Sequence, residues 1–213
     1  MAALPKILFE GVEDKAFLEE LLEVLGLLEK FSFQKAEGVG KDGFKQILTA
    51  FVAGSAKGNV KSIIIVADND GDPVGAFKNV QEQIGKAGFT VPQKPRETVI
   101  TAELPPLSVL MIPWDNDSGC LETLCLSAAN PDYKKQLDCA EGLVKCVGTG
   151  EWDIAKKSKL RMRSFLSAVC KSDPNTGLRY AWGTENGRPG NIFPLKGIAT
   201  YNKIADFFKN LAA

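Results

Sequence analysis

Ile63-Ile64-Ile65-Val66-Ala67, running into Asp68-Asn69-Asp70-Gly71-Asp72-Pro73, is the stretch on which the reading of this chain turns. Five consecutive apolar residues suit a strand buried on both faces, as in the middle of a parallel sheet. The polar run that follows ends on Pro73, whose missing N–H and fixed φ suit the first turn of a helix, which continues to about Gly88. Upstream, Ile7 to Phe9 is a short apolar run opened by Pro5 and reads as another buried strand. From Glu13 the apolar residues Phe17, Leu18, Leu21, Leu22, Leu25 and Leu28 recur at helical spacing. Phe31 to Lys35 alternates like a strand, and Gly43 to Ala53 is helical with Phe44, Ile47, Leu48 and Phe51 on one face. Gly54 to Asn59 reads as a loop.

Downstream, Thr98 to Thr101 and Ser108 to Ile112 read as strands separated by Pro105-Pro106, and Leu121 to Ala129, Tyr133 to Val147 and Trp152 to Lys171 as helices. Ser172 to Gly190, rich in Gly, Asn and Pro, reads as a long surface loop, and Ile204 to Leu211 as a closing helix. Strands alternating with helices predict an α/β fold: a three-layer sandwich with a mostly parallel central sheet. The 213 residues form one such unit in this reading, with a core over about residues 5–130 and a helical C-terminal extension over about residues 131–213.

Composition narrows the chemistry. The 26 basic and 26 acidic side chains cancel, so no global positive field attracts a polyanion; a local basic patch or a metal must do so. The chain has no histidine, which removes Ser–His and Cys–His nucleophile systems and every histidine-ligated zinc site. Its five cysteines include no C-x-x-C pair and read as reduced core thiols. The opening MAALPKILFEG lacks the basic and apolar regions of a signal peptide, and no apolar run reaches the roughly 18 residues of a membrane span. The expectation is a cytoplasmic protein with no membrane partner.

Ligands of open α/β sheets bind outside the carboxyl ends of the strands. Three acidic groups fall there: Glu10 with Asp14; Asp68, Asp70 and Asp72; and Asp115, Asp117 and Glu122. Oxygen-only donors suit Mg²⁺ or Mn²⁺, and carboxylates crowded at one edge repel unless a divalent cation lies between them. For Asp72 a simple helix-capping role is the competing reading. A calcium loop of the EF-hand kind is excluded, because Gly71 comes at position four instead of six and Asn79 replaces the final glutamate. The densest positive cluster is Lys156-Lys157-Ser158-Lys159-Leu160-Arg161-Met162-Arg163, in which Lys156, Lys159 and Arg163 share a helical face. It reads either as a solvated face or as a phosphate contact, which makes Lys156, Lys157, Arg161 and Arg163 candidates for binding nucleic acid.

Ile7-Leu8-Phe9-Glu10-Gly11-Val12-Glu13-Asp14 before a helix, followed in order by Ile64-Ile65-Val66-Ala67-Asp68-Asn69-Asp70-Gly71-Asp72, resembles the two motifs of a Toprim domain. Ser118-Gly119-Cys120-Leu121-Glu122-Thr123-Leu124 and Lys157-Ser158-Lys159-Leu160 resemble later segments of small stand-alone Toprim-like proteins related to the OLD-type nucleases. No zinc-ribbon cysteines, topoisomerase tyrosine domain or G-x-x-x-x-G-K-[ST] run accompanies them, so the resemblance is to an isolated module. It implies a Toprim-like (Rossmann-like) sheet on which Glu10, Asp14, Asp68, Asp70, Asp72 and Glu122 hold Mg²⁺ or Mn²⁺. It also implies that Glu10 serves in proton transfer and Lys159 neutralises phosphate charge. The expected function is Mg/Mn-dependent phosphodiester cleavage on nucleic acid; the alternative is a module that binds a metal-bound nucleotide or a partner protein without turnover. A homo-oligomer is a separate expectation among its partners.

Overall fold

The computed structural model describes residues 3–36, 43–54, 60–114, 116–171, 173–182, 192–196 and 199–212. In chain order these form β1 (Leu4–Phe9), α1 (Val12–Val24), β2 (Ser32–Lys35), α2 (Gly43–Ala53), β3 (Val60–Asp68) and α3 (Pro73–Lys86). There follow β4 (Leu107–Ile112), α4 (Leu121–Ser127), α5 (Lys134–Cys146), α6 (Ile154–Val169) and α7 (Ala199–Ala212). The four strands make one sheet in the order β2-β1-β3-β4, every neighbouring pair parallel. The apolar run singled out in the sequence is therefore an inner strand, with Ile64 paired to Ile7 on one side and to Ser108 on the other.

Alternation along the strands divides the core in two. Ile7, Ile64, Val66, Leu110 and Ile112 face α1, α4, α6 and α7, whose Phe17, Leu121, Phe165 and Tyr201 are fully or almost fully buried with them. Leu8, Ile63, Ile65, Ala67, Val109 and Met111 face the other way, onto Phe44 and Leu48 of α2 and Val80 and Ile84 of α3. This is the three-layer α/β arrangement expected. The helices after residue 131 share the first of these cores with the sheet. Among the described residues no helix is long and apolar enough to cross a membrane.

Two expectations need correction. Thr98 to Thr101 is not a strand: it makes a single antiparallel bridge, Val99 to Leu107, before the chain turns through Glu103 at φ 66°. Only Val99 reaches the core, whereas Ile100 is 75% exposed. The segment instead covers the outer edge of β4, with the Arg96 N–H donating to the Val109 carbonyl at 2.7 Å, which shields an otherwise open sheet edge. The stretch after Lys171 is not merely a surface loop either. Its described part carries a 3₁₀ turn over Leu178–Tyr180, and Leu178 and Ala181, three residues apart and so on one side of that turn, are buried. Residues 172 and 183–190 of that stretch, and 55–59 of the loop after α2, lie outside the described residues.

Candidate metal and phosphate site

Parallel pairing sends the carboxyl ends of all four strands to one edge. Leu8 pairs with Ile65, so Glu10, two residues on, and Asp68, three residues on, emerge side by side from β1 and β3. The chain turns at Gly11 into α1, and Asp14, in the first helical turn, accepts from the Gly11 N–H at 2.8 Å. Asp68 accepts through Oδ1 from the Leu121 N–H at 3.1 Å, which fastens the start of α4 against the end of β3. Asp70, at φ 49°, bridges to Gly119, whose N–H donates to the Asp70 carbonyl at 2.6 Å. Glu122 follows in the first turn of α4. Asp14, Asp68 and Glu122 are half-buried, and Glu10, Asp70 and Lys159 are exposed.

Charge shows how close these groups come. Burial pushes the Glu10 carboxyl up, Asp14 and Asp70 add to the rise, and Lys159 opposes it. Asp14 is raised to about 6, first by burial and then by Glu122, against the Gly11 N–H and Lys159. Asp68 is raised well above the usual carboxylate range by burial and by Asp14, with Glu122 and Asp70 adding and Lys159 opposing. Burial works against the charge of Lys159, yet Glu122, Asp68 and Asp70 outweigh it, so the ammonium is held more firmly protonated than usual. Asp14 thus acts on both Glu10 and Asp68, Asp70 acts on the same two, Glu122 acts on Asp14 and Asp68, and Lys159 acts on Glu10, Asp14 and Asp68. Cys120, buried beside them, has its thiol pushed up to about 12 by burial and by Glu122, so it supplies no thiolate.

Among the described residues no three Asp, Glu, His or Cys side chains stand as a ready-made metal cage. Mutual repulsion is a physical reason for such a set not to close on itself, and a divalent cation removes it. The donor set is of the kind a hard cation takes: carboxylate oxygens only.

The remaining candidates divide. Asp72 takes the capping role, its Oδ1 accepting from the Gly75 N–H at 3.0 Å at the start of α3, while it also lines the cleft beside Glu10, Asp68 and Asp70. That cleft has a volume of 780 Å³. Asp117 is exposed and Asp115 lies outside the described residues. On α6 the basic cluster does not act as one patch. Lys156 pairs with Asp153 at 3.5 Å, Lys157 donates to the Gly150 carbonyl at 3.2 Å, and Arg161 lies 3.4 Å from Glu141 of α5. Lys159 and Arg163 instead line a second cavity together with Glu122.

Several supporting residues carry no motif. Asn69, between the two aspartates, is fully buried and donates through Nδ2 to the Asp117 carbonyl at 2.9 Å, which ties the turn after β3 to the loop before α4. An amide in an otherwise acidic run was the available signal. Thr123 accepts from the Cys120 N–H at 3.1 Å and donates to Ser158 at 2.8 Å, which holds α4 against α6 next to Lys159. Gly119 adopts φ +135°, and a Cβ there would stand 2.5 Å from Thr123 Oγ1. Gly119→Ala is therefore expected to destabilise the protein by about 1–3 kcal/mol, with each kcal/mol lowering Tm by about 2–4 °C at this size. An unchanged thermal melt would show that the turn relaxes freely.

Searches of curated proteins and of solved structures each returned no match. The model of a family described as "Protein of unknown function (DUF3226)" matches residues 5–211, nearly the whole sequence, and the chain belongs to that family.

Proposed function

We propose that this protein is a cytoplasmic, Mg²⁺- or Mn²⁺-dependent hydrolase that cleaves phosphodiester bonds in nucleic acid, built on a Toprim-like domain. The observation that carries this reading is the gathering of Glu10, Asp14, Asp68, Asp70, Glu122 and Lys159 at the carboxyl edge of a parallel sheet, close enough that the carboxylates raise Glu10, Asp14 and Asp68 and Lys159 opposes them. Glu10, Asp68 and Asp70 would hold one cation, and Asp14 and Glu122 a second ion or the waters of the first. The bound cation would supply Lewis acidity and a more acidic water. Lys159 offsets the charge that builds on the phosphate as the bond to water forms. Glu10, raised by burial and by Asp14 and placed at the end of β1, would take the water's proton. The Asp68 carboxylate is orientated by the Leu121 N–H, and the backbone of Asp70 is held by its bond from the Gly119 N–H.

The test is cleavage of single- and double-stranded DNA and RNA by the purified protein with Mg²⁺ or Mn²⁺. The expected result is cleavage of at least one of these that stops on adding EDTA. A protein that binds Mn²⁺ and cleaves none of them would be a binding module, and the enzyme reading would fall.

A further inference from the structure

The second cavity, of 600 Å³, shares Glu122 and Lys159 with the acidic group and continues along α6 through Arg163. Its size lies within the roughly 300–1,000 Å³ of small-ligand sites. Its floor is apolar, made by Met162, Leu166 and Leu178 from the main core. Its lip, Pro174 to Gly177, is shaped before any ligand arrives. The Asn175 N–H donates to the Asp173 carboxylate at 3.1 Å, Thr176 Oγ1 to the Asp173 carbonyl at 2.7 Å, and Ser167 Oγ to the Pro174 carbonyl at 2.6 Å. Glu13 anchors the next turn from α1 by accepting from the Arg179 N–H at 3.1 Å.

The charges on α6 sort themselves around this cavity. Lys156 and Arg161 each have a carboxylate partner and lie outside its walls. Lys159 and Arg163, one helical turn apart, both face it, and neither forms an ion pair among the described residues. Glu122, on the wall of the same cavity, acts on Lys159, while Arg163 stands one turn further along, so a phosphate reaching both cations would add to the compensation that Glu122 already gives in part. Lys159 and Arg163, beside Glu122 and Glu13 whose carboxylates adjoin the candidate cation edge and the Arg179 N–H, together with an apolar floor and a polar lip match the phosphate and base of a nucleotide.

We propose that this cavity seats one unstacked nucleotide of a single-stranded nucleic acid, its phosphate between Lys159 and Arg163 and its base against Met162, Leu166 and Leu178. A base held there has left its stack and its pairing partner, so the site selects single strands over duplex. The proposal rests on the phosphodiesterase reading for its place beside the acidic group and names that enzyme's substrate class. A free nucleoside monophosphate shares the same chemistry.

The experiment is fluorescence anisotropy with a labelled, cleavage-resistant phosphorothioate oligonucleotide in the presence of Mn²⁺, offered as a single strand and as a duplex. The single strand is expected to bind at least about 10-fold more tightly, because a duplex must first unpair and unstack the base that the cavity takes. Arg163→Ala, and Asn175→Trp, which fills the cavity from its exposed lip, are each expected to weaken that binding about 10-fold or more, while Lys86→Ala on the far layer leaves it unchanged. Equal affinity for single strand and duplex, or full binding by both cavity variants, overturns the proposal. AMP that competes only at concentrations well above the oligonucleotide supports a strand; AMP that competes as well as the oligonucleotide overturns the strand in favour of a free nucleotide. The two readings fail separately. Wild-type protein that cleaves nothing yet binds single strands through Arg163 keeps the seat and ends the enzyme; cleavage that ignores both strandedness and Arg163→Ala does the reverse.

Discussion

Asp68→Asn is expected to abolish cleavage, by about 10³-fold or more, because it removes a carboxylate from the edge where several kcal/mol of charge stabilisation must be organised. The same substitution is expected to stabilise the protein without metal. Asp68 is raised well above the ordinary range by burial and by Asp14, so its ionised form weakens the fold at neutral pH. The asparagine keeps the oxygen that accepts from Leu121, so the start of α4 stays fastened. The sign follows from proton uptake. A carboxyl whose folded pKa exceeds its unfolded value binds more protons when folded, so its contribution to stability falls as pH rises through that window. For Asp14, raised to about 6, the window runs from the ordinary aspartate range up to about pH 6. Wild-type protein in EDTA should therefore lose stability from Asp14 between about pH 4 and pH 6, Asp68 should extend that loss as pH rises, and Asp68→Asn should lose less.

Metal reverses the order. A cation at 100 times its Kd adds about 2.7 kcal/mol to wild type, roughly 5–11 °C at this size. Asp68→Asn should gain almost nothing. Thermal melts across pH, with EDTA and with Mn²⁺, read all of this at once. A wild-type melt insensitive to Mn²⁺, or an Asp68→Asn protein less stable than wild type in EDTA at pH 8, would sink the shared cation site.

Lys159→Ala is expected to lower the cleavage rate by about 10²–10³-fold while the Mn²⁺-induced rise in Tm stays within a degree or so of wild type. Among the described residues, Lys159 is the cation that acts on Glu10, Asp14 and Asp68 alike, and Glu122 and Asp68 hold it protonated. Lys157→Ala removes a neighbouring charge that bonds to the Gly150 carbonyl, away from the carboxylates, and should cost less than about threefold in rate. Equal, small losses in both variants would reduce the whole cluster to a solvated helix face. A collapse of Mn²⁺ stabilisation in Lys159→Ala would instead mean that the lysine organises the carboxylates before metal binds.

The strands and helices were legible because they arise from spacing between near neighbours. Apolar residues at period two or 3.6 bury one face whatever lies opposite, so α2 appears at Gly43–Ala53 as its pattern requires, and β3 extends its apolar run only to Val60 and Asp68. Acidic residues at strand ends were legible for a related reason: parallel strands deliver their carboxyl ends to one edge, so Glu10 and Asp68 come to the same end of the sheet and line one cleft. Where the period fails, so does the reading. Val99 alone reaches the core from its segment, and Leu178 with Ala181 is too sparse a pair to announce a buried turn. The fate of the α6 cations was not legible at all. Lys159, Arg161 and Arg163 are near neighbours in one helix, yet Arg161 finds Glu141 on α5 while the other two line a cavity closed by residues 174–178. The lip of that cavity is anchored by a bond between Glu13 and Arg179, 166 positions apart. Periodicity is a relation among neighbours in the chain; ion pairs and cavity walls depend on distances that exist only once the layers have packed.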